Sequence, residues 1–171
     1  MKRITKLVLL ASFLFCFTSK AFALGCGFQF GGIPGLLINQ DEVKLENITV
    51  NLTGTFKMER VPLTVGSGLE YGKIFSEYNY GFSLFADYRA VDFQLKNTWN
   101  LYSGFGATVK LLTSDSDTWN LSAGARFFAG MNWLFYDGFL EYYVQQNVVP
   151  TYYEKDFILC LPFETGLRMH F

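Results

Sequence analysis

The run Ile48-Thr49-Val50-Asn51-Leu52-Thr53-Gly54-Thr55-Phe56-Lys57-Met58 decides the fold. Ile48, Val50, Leu52, Phe56 and Met58 share one parity; Thr49, Asn51, Thr53, Thr55 and Lys57 share the other. A period of two is the mark of a strand with two unlike faces, and no helical period fits. The pattern continues in both directions. Upstream, Leu24, Cys26, Phe28 and Phe30 alternate with Gly25, Gly27, Gln29 and Gly31. Downstream, Leu63, Val65, Leu69 and Tyr71 oppose Thr64, Gly66, Gly68 and Glu70, and Tyr78, Tyr80, Phe82, Leu84, Ala86 and Tyr88 oppose Asn79, Gly81, Ser83, Phe85, Asp87 and Arg89.

Past Arg89 the parity changes at Ala90, which predicts a bulge ahead of a turn at Lys96-Asn97. Trp99 to Leu111 and Trp119 to Phe127 alternate again, separated by the polar turn Ser114-Asp115-Ser116-Asp117. A seventh run places Leu134, Tyr136, Leu140, Tyr142 and Val144 against Phe135, Asp137, Phe139, Glu141 and Tyr143. The last extends from Phe157 to Phe171. Each of the eight strands spans about ten to thirteen residues. Pro34, Pro62 and Pro150 fall in expected connectors, whereas Pro162 falls inside the last strand and calls for a bulge there.

Composition narrows the class. Of 171 residues 50% are hydrophobic, 19% aromatic and 17% charged, which excludes a disordered chain. Beyond the N-terminus no apolar stretch approaches the ~20 residues of a membrane-spanning helix. The N-terminus itself reads as a secretory signal peptide over residues 1–23. Lys2, Arg3 and Lys6 precede the apolar run Leu7 to Phe17, and Ala21-Phe22-Ala23 forms a small-x-small cleavage site. The remaining domain, 24–171, keeps ten basic residues against 15 acidic ones, a net charge of −5 that offers nucleic acid no attraction. Cys26 and Cys160 lie near opposite ends of neighbouring strands, too far apart for a disulfide. Cys26 could instead carry a lipid, although Ala23-Leu24-Gly25 lacks the large apolar residue usual three places before a lipidated cysteine.

Eight antiparallel strands close naturally into an up-and-down barrel, since closure removes unpaired edges. The apolar face points inward in a secreted, lipocalin-like carrier and outward in a transmembrane barrel. The polar face is built from Gly, Thr, Ser and Asn with few charges, which suits a narrow lumen better than a water-facing exterior. All-β, eight-stranded and transmembrane is therefore the fold expected. About eleven residues at ~3.3 Å rise and ~40° tilt span ~28 Å, the height of an outer-membrane apolar band. Aromatic girdles follow from that reading: Tyr71, Tyr80, Trp119, Tyr142 and Phe157 toward the outer ends, and Phe56, Tyr88, Trp99 and Phe171 toward the inner ends.

The ending Phe163-Glu164-Thr165-Gly166-Leu167-Arg168-Met169-His170-Phe171 resembles the β-signal of bacterial outer-membrane proteins. A terminal Phe171 is preceded by Met169, Leu167 and Phe163 at two, four and eight places. With the leader and the strand count, the mature chain resembles the small barrels of the OmpX, OmpW and OmpA-transmembrane-domain kind. The resemblance implies a bacterial outer-membrane protein, its termini periplasmic, delivered by periplasmic chaperones, read by the barrel-assembly machinery and seated in outer-membrane lipid. It also raises a narrow OmpW-like channel for small or hydrophobic solutes, with the apolar loop Ile33-Pro34-Gly35-Leu36-Leu37-Ile38 near its mouth.

The charges on the polar face are the main candidate site. Lys57, Arg89, Arg126 and Arg168 share the lumen with Glu70, Asp87, Asp137, Glu141 and Glu164. Charges buried in a narrow tube must pair or stay hydrated, and near balance favours a paired network that fills the tube. Lipid-modifying barrels of this kind use a histidine near the outer leaflet; the single histidine, His170, falls at the opposite end. No nucleophile–base pair, metal-ligand cluster or cofactor motif stands out. The expectation is a non-enzymatic surface barrel without cofactors.

Overall fold

The structure, a computed structural model, describes residues 24–38, 43–58, 61–74, 77–114, 119–153 and 156–171. The expected leader lies outside them, as does most of the expected Ser114–Asp117 turn. The strands are β1 (Leu24–Ile38), β2 (Val43–Met58), β3 (Leu63–Ile74), β4 (Glu77–Lys96), β5 (Trp99–Ser114), β6 (Trp119–Phe135), β7 (Leu140–Tyr153), β8 (Asp156–Cys160) and β9 (Phe163–His170). From β1 to β8 each strand pairs antiparallel with the next, β9 pairs with β7, and β1 closes the ring against β8 and β9, which lie end to end as one stave. The molecule is a closed eight-stranded antiparallel barrel. Several strands are longer than their apolar runs suggest; β4 alone has 20 residues.

Leu24, Phe171 and the turns at 97–98 and 136–139 mark what we call the terminal end; Ile38, Ile74 and Ser114 approach the far end. Along β2, Thr49, Asn51, Thr53 and Thr55 are buried while Ile48, Val50, Leu52 and Phe56 are exposed. The same holds around the ring, with Phe28, Phe82, Phe105, Leu121 and Leu167 all on the outside. The barrel is thus apolar outside and polar inside. β-Branched and aromatic residues favour the extended backbone, and lumen glycines make room for the few rings that turn inward. A Cβ on Gly166 would sit 2.6 Å from the Tyr143 ring, and one on Gly66 would collide with Phe85.

The parity change in β4 is a register shift between Arg89 and Val91 that leaves Ala90 without a partner. The prolines depart from expectation. Pro34 lies within β1 and Pro150 within β7, so neither is in a connector, and the predicted loop 33–38 is strand. Pro162 does not produce a bulge. The stave keeps one register across it on both sides: Val149↔Cys160 and Gln146↔Phe163 with β7, Gly35↔Cys160 and Gly32↔Phe163 with β1. The missing donor is replaced instead. Asn147 N donates to Pro162 O at 2.8 Å, and proline cannot return the bond. Asn147 O accepts from the Gln146 amide at 3.1 Å, and that amide also approaches Leu161 O and Pro162 O, each at 3.2 Å. A side chain on the outer face thus supplies the donor that the ladder lacks.

The seventh strand begins later than expected. β6 runs on to Phe135, and the chain reverses at Tyr136, Asp137 and Gly138, whose φ values are 50°, 55° and 90°. Asp137 therefore lies exposed on a turn and not in the lumen. Tyr142, near the start of β7, lies at the terminal end and not the outer one: it pairs with Trp133 and stacks on it at 5.4 Å, and Trp133 packs on Trp99 at 4.9 Å.

Candidate functional site

Because alternate residues of every strand point inward, the lumen collects charged side chains from every stave but β1, which has none. Parity decides which residues enter; strand stagger decides which meet. Of the nine predicted lumen charges, Lys57, Glu70, Asp87, Arg89, Arg126, Glu141, Glu164 and Arg168 are brought inside, in three groups.

At the terminal end Glu141, 0% exposed, is the hub. Its Oε1 accepts from Arg89 at 3.1 Å and from Asn132 Nδ2 at 2.7 Å. Its Oε2 accepts from Arg168 at 2.9 Å, faces His170 Nε2 at 2.8 Å and lies 3.3 Å from Lys57 Nζ. The guanidiniums of Arg89 and Arg168 lie over the rings of Tyr102 and Tyr143, at 3.8 and 4.4 Å from the ring centroids. Such stacking compensates a desolvated cation with the negative face of a ring.

In mid-barrel the signs invert, and one cation bridges two anions. Arg126 meets Asp87 through Nε at 2.8 Å and Nη2 at 3.1 Å, and Glu164 through Nη2 at 2.9 Å. Phe85 lies under its guanidinium at 4.5 Å. Gln145 donates to Glu164 at 2.8 Å and to Asn147 at 3.0 Å, and accepts from the Tyr102 hydroxyl at 3.1 Å. Toward the far end Lys110 pairs with Glu70 at 2.8 Å, with Thr49 donating to the same oxygen at 3.3 Å. Toward the far end the interior mixes apolar and polar side chains, with Leu112, Ile158, Asn79, Thr113 and Thr151 all buried.

Sequence reading omitted Lys110, Asn132, Tyr102, Gln145 and His170 from the network. All five occupy polar-parity positions, which was the available signal.

Among the described residues, cavities adjoin these groups inside the barrel and a groove lies on its outer face. A cavity of about 10 Å³ lies between the Lys110 and Arg126 levels, walled by Glu70, Phe85, Val149, Pro162 and Glu164. A second, of about 340 Å³, opens at the terminal mouth beside Lys57, Arg89, Asn132 and His170. A third, of about 480 Å³, is a groove on the outer face walled by Phe93, Leu101, Met131 and Phe163. Cys26 and Cys160 form no disulfide; Cys26 sits opposite Met169, and Cys160 opposite Gly35, well up β1.

The remaining predicted ring and signal residues lie on the outer surface. Tyr71, Tyr80 and Trp119 fall in one transverse row toward the far end through Tyr71↔Tyr80↔Thr113↔Trp119, and Phe157 lies beside Tyr152. Phe56, Tyr88, Trp99 and Phe171 lie toward the terminal end, as do Leu167 and Met169. Phe171 meets Phe139 edge-on at 5.9 Å.

A short closed barrel with an apolar exterior and a charged interior is the architecture of the small eight-stranded outer-membrane barrels, and the chain has that fold. Neisserial surface protein A superposes with a TM-score of 0.62, covering 86% of this chain and 97% of its own at 11% identity. The N-terminal β-barrel domain of Pseudomonas aeruginosa OprF gives 0.52, covering 86% and 99% at 11% identity. No family model matches the sequence, and no curated protein sequence does.

Proposed function

We propose that the chain is an integral barrel of a bacterial outer membrane, non-enzymatic and closed to solutes. In this reading the terminal end faces the periplasm and the far-end connectors face the exterior. Its residues 1–23 are removed on export, and periplasmic chaperones and the barrel-assembly machinery deliver it to outer-membrane lipid. The belt of exposed Phe, Leu and Val supports a lipid surround, because such an exterior would be insoluble in water. The aromatic residues toward the two ends suit the two interfaces. The outward Phe163, Leu167, Met169 and Phe171 suit a recognised closing strand.

One observation carries the closed lumen. The cavity between the Lys110 and Arg126 levels holds about 10 Å³, room for roughly one water and no larger solute. The only histidine, His170, is engaged by Glu141 at the terminal mouth, which supports a non-enzymatic reading.

The test is conductance of the refolded barrel in a planar bilayer. The reading expects a silent membrane at every voltage; discrete, reproducible openings would restore a narrow channel in its place. Lipid-dissolved quencher should reach a probe at Leu52 and not one at Asn51. The reverse pattern would turn the barrel inside out and leave a soluble carrier.

A further inference from the structure

The wall at the terminal end stops at unequal lengths, and where β3 ends early its neighbour is left with an open edge. β3 begins at Leu63, opposite Tyr88, and the ladder finishes with Arg89 N donating to Pro62 O at 2.8 Å. β4 runs on to Lys96, and among the described residues that last stretch pairs with β5 alone. From Tyr78 to Arg89 every second residue of β4 is buried, whereas from Ala90 to Lys96 all are exposed. The link Glu59-Arg60-Val61-Pro62 is too short to supply the missing strand. Pro62 is already spent opposite Arg89, and Glu59 and Arg60, which lie outside the described residues, have to return the chain to Met58.

The open edge has two chemically distinct sides. Val91 and Phe93 pair with Ser103 and Leu101 and are exposed on the outer face, where they wall the apolar groove. Asp92 pairs with Tyr102 and so shares its lumen side, touching Arg89 at a long 3.5 Å and remaining 53% exposed. The cavity of about 340 Å³ lies beside Asp92 and Pro62, so a long side chain entering from the line of β3 has room there. Unpaired N–H and C=O groups of a strand edge are satisfied by water or by another extended backbone. The chain that continues the β3–β4 ladder past Pro62 is therefore extended, apolar where it stands beside Val91 and Phe93, and basic where it faces Asp92.

We propose that β4 between Val91 and Lys96 accepts an extended peptide as an added antiparallel strand, with apolar side chains outward and a basic side chain opposite Asp92. In the orientation proposed above this edge faces the periplasm, which makes the donor a periplasmic protein with an alternating apolar–polar segment. Only that compartment rests on the proposed orientation. The pairing itself depends neither on the orientation nor on a closed lumen, so conductance and peptide binding fail separately.

The experiment uses the full barrel folded in detergent and three capped, fluorescent hexapeptides followed by anisotropy. The first alternates valine with threonine and carries one central lysine; the second has glutamate in place of the lysine; the third is the lysine peptide with every backbone nitrogen methylated. The proposal expects saturable binding of the lysine peptide and a loss of ~10-fold or more on methylation, which removes the backbone donors and keeps the side chains. Binding driven by the micelle predicts the opposite order, because the methylated peptide is the more apolar. The lysine peptide should exceed the glutamate peptide by ~5-fold at low ionic strength, and Asp92→Lys, a change at an exposed position, should reverse that order. Hydrogen exchange supplies a readout without any variant: the bound peptide should slow exchange of the 91–96 amides and leave the far end unchanged. No saturable binding, equal affinity for the methylated peptide, an order of the charged peptides indifferent to Asp92→Lys, or protection confined to other strands would each overturn the proposal. If Asp92→Lys does not fold, the methylated peptide and the exchange pattern decide alone.

Discussion

The Arg126 and Glu141 clusters use the same chemistry with the signs exchanged. Arg126 is one guanidinium between two carboxylates, and Glu141 is one carboxylate among three cations. Both set guanidiniums against rings, with Phe85 in mid-barrel and Tyr102 and Tyr143 toward the mouth. They differ in what surrounds them. About 10 Å³ of open space adjoins the first and about 340 Å³ the second. Water can reach an unpaired charge only where there is room for it, so equal electrostatic damage should cost unequally in the two places.

Arg126→Met offers the strongest test of that difference. It leaves Asp87 and Glu164 facing one another without a cation and with little space for solvent. The expected loss is ~3–5 kcal/mol of barrel stability, read as a lowered urea midpoint in detergent or lipid. Adding Asp87→Asn to that variant should recover part of the loss, since one of the two stranded charges is removed. Full stability in Arg126→Met would mean that water already occupies mid-barrel.

Glu141→Gln should cost less although Glu141 has more partners. Lys57, Arg89 and Arg168 lose their shared carboxylate, but the glutamine amide oxygen still accepts and the mouth admits water. A loss of ~1–2 kcal/mol is expected by the same measurement. A loss equal to that of Arg126→Met would show that the two environments do not differ in hydration.

How much of this was legible before the structure depends on which physical question is asked. Facing was legible, because alternation at Ile48–Met58 reports directly which side chains share a side. Height was not. Glu141 draws Lys57 and Arg89 from 84 and 52 positions away, and only the stagger between staves brings them level. Asp137 and Tyr142 were misplaced for one reason: Tyr136-Asp137-Gly138-Phe139 continues the apolar–polar rhythm while the backbone turns through positive φ. The Asp-Gly dipeptide was the available sign of a reversal there. Pro150 and Pro162 misled in the opposite direction. Each looks like a strand breaker, yet the register of the staves continues past both.

The wall beside the closed cluster refines the comparison at the smallest scale. Asn147 is fully buried and links the two: its Oδ1 accepts from Arg126 at 3.4 Å, and its backbone oxygen takes the Gln146 amide in place of the proton Pro162 lacks. Gln146→Leu removes that donor, and no water stands ready in an apolar surround to replace it, so a loss of ~1 kcal/mol is expected. Pro162→Ala restores a backbone N–H at the same place and should be close to neutral or mildly stabilising alone. Combined, the two should cost less than Gln146→Leu by itself, because the ladder then closes without help. A double-mutant cycle reads the coupling directly. Strict additivity would mean that the Gln146 amide packs against the stave without satisfying it, and that the wall at Pro162 is held by the lumen side of Asn147 alone.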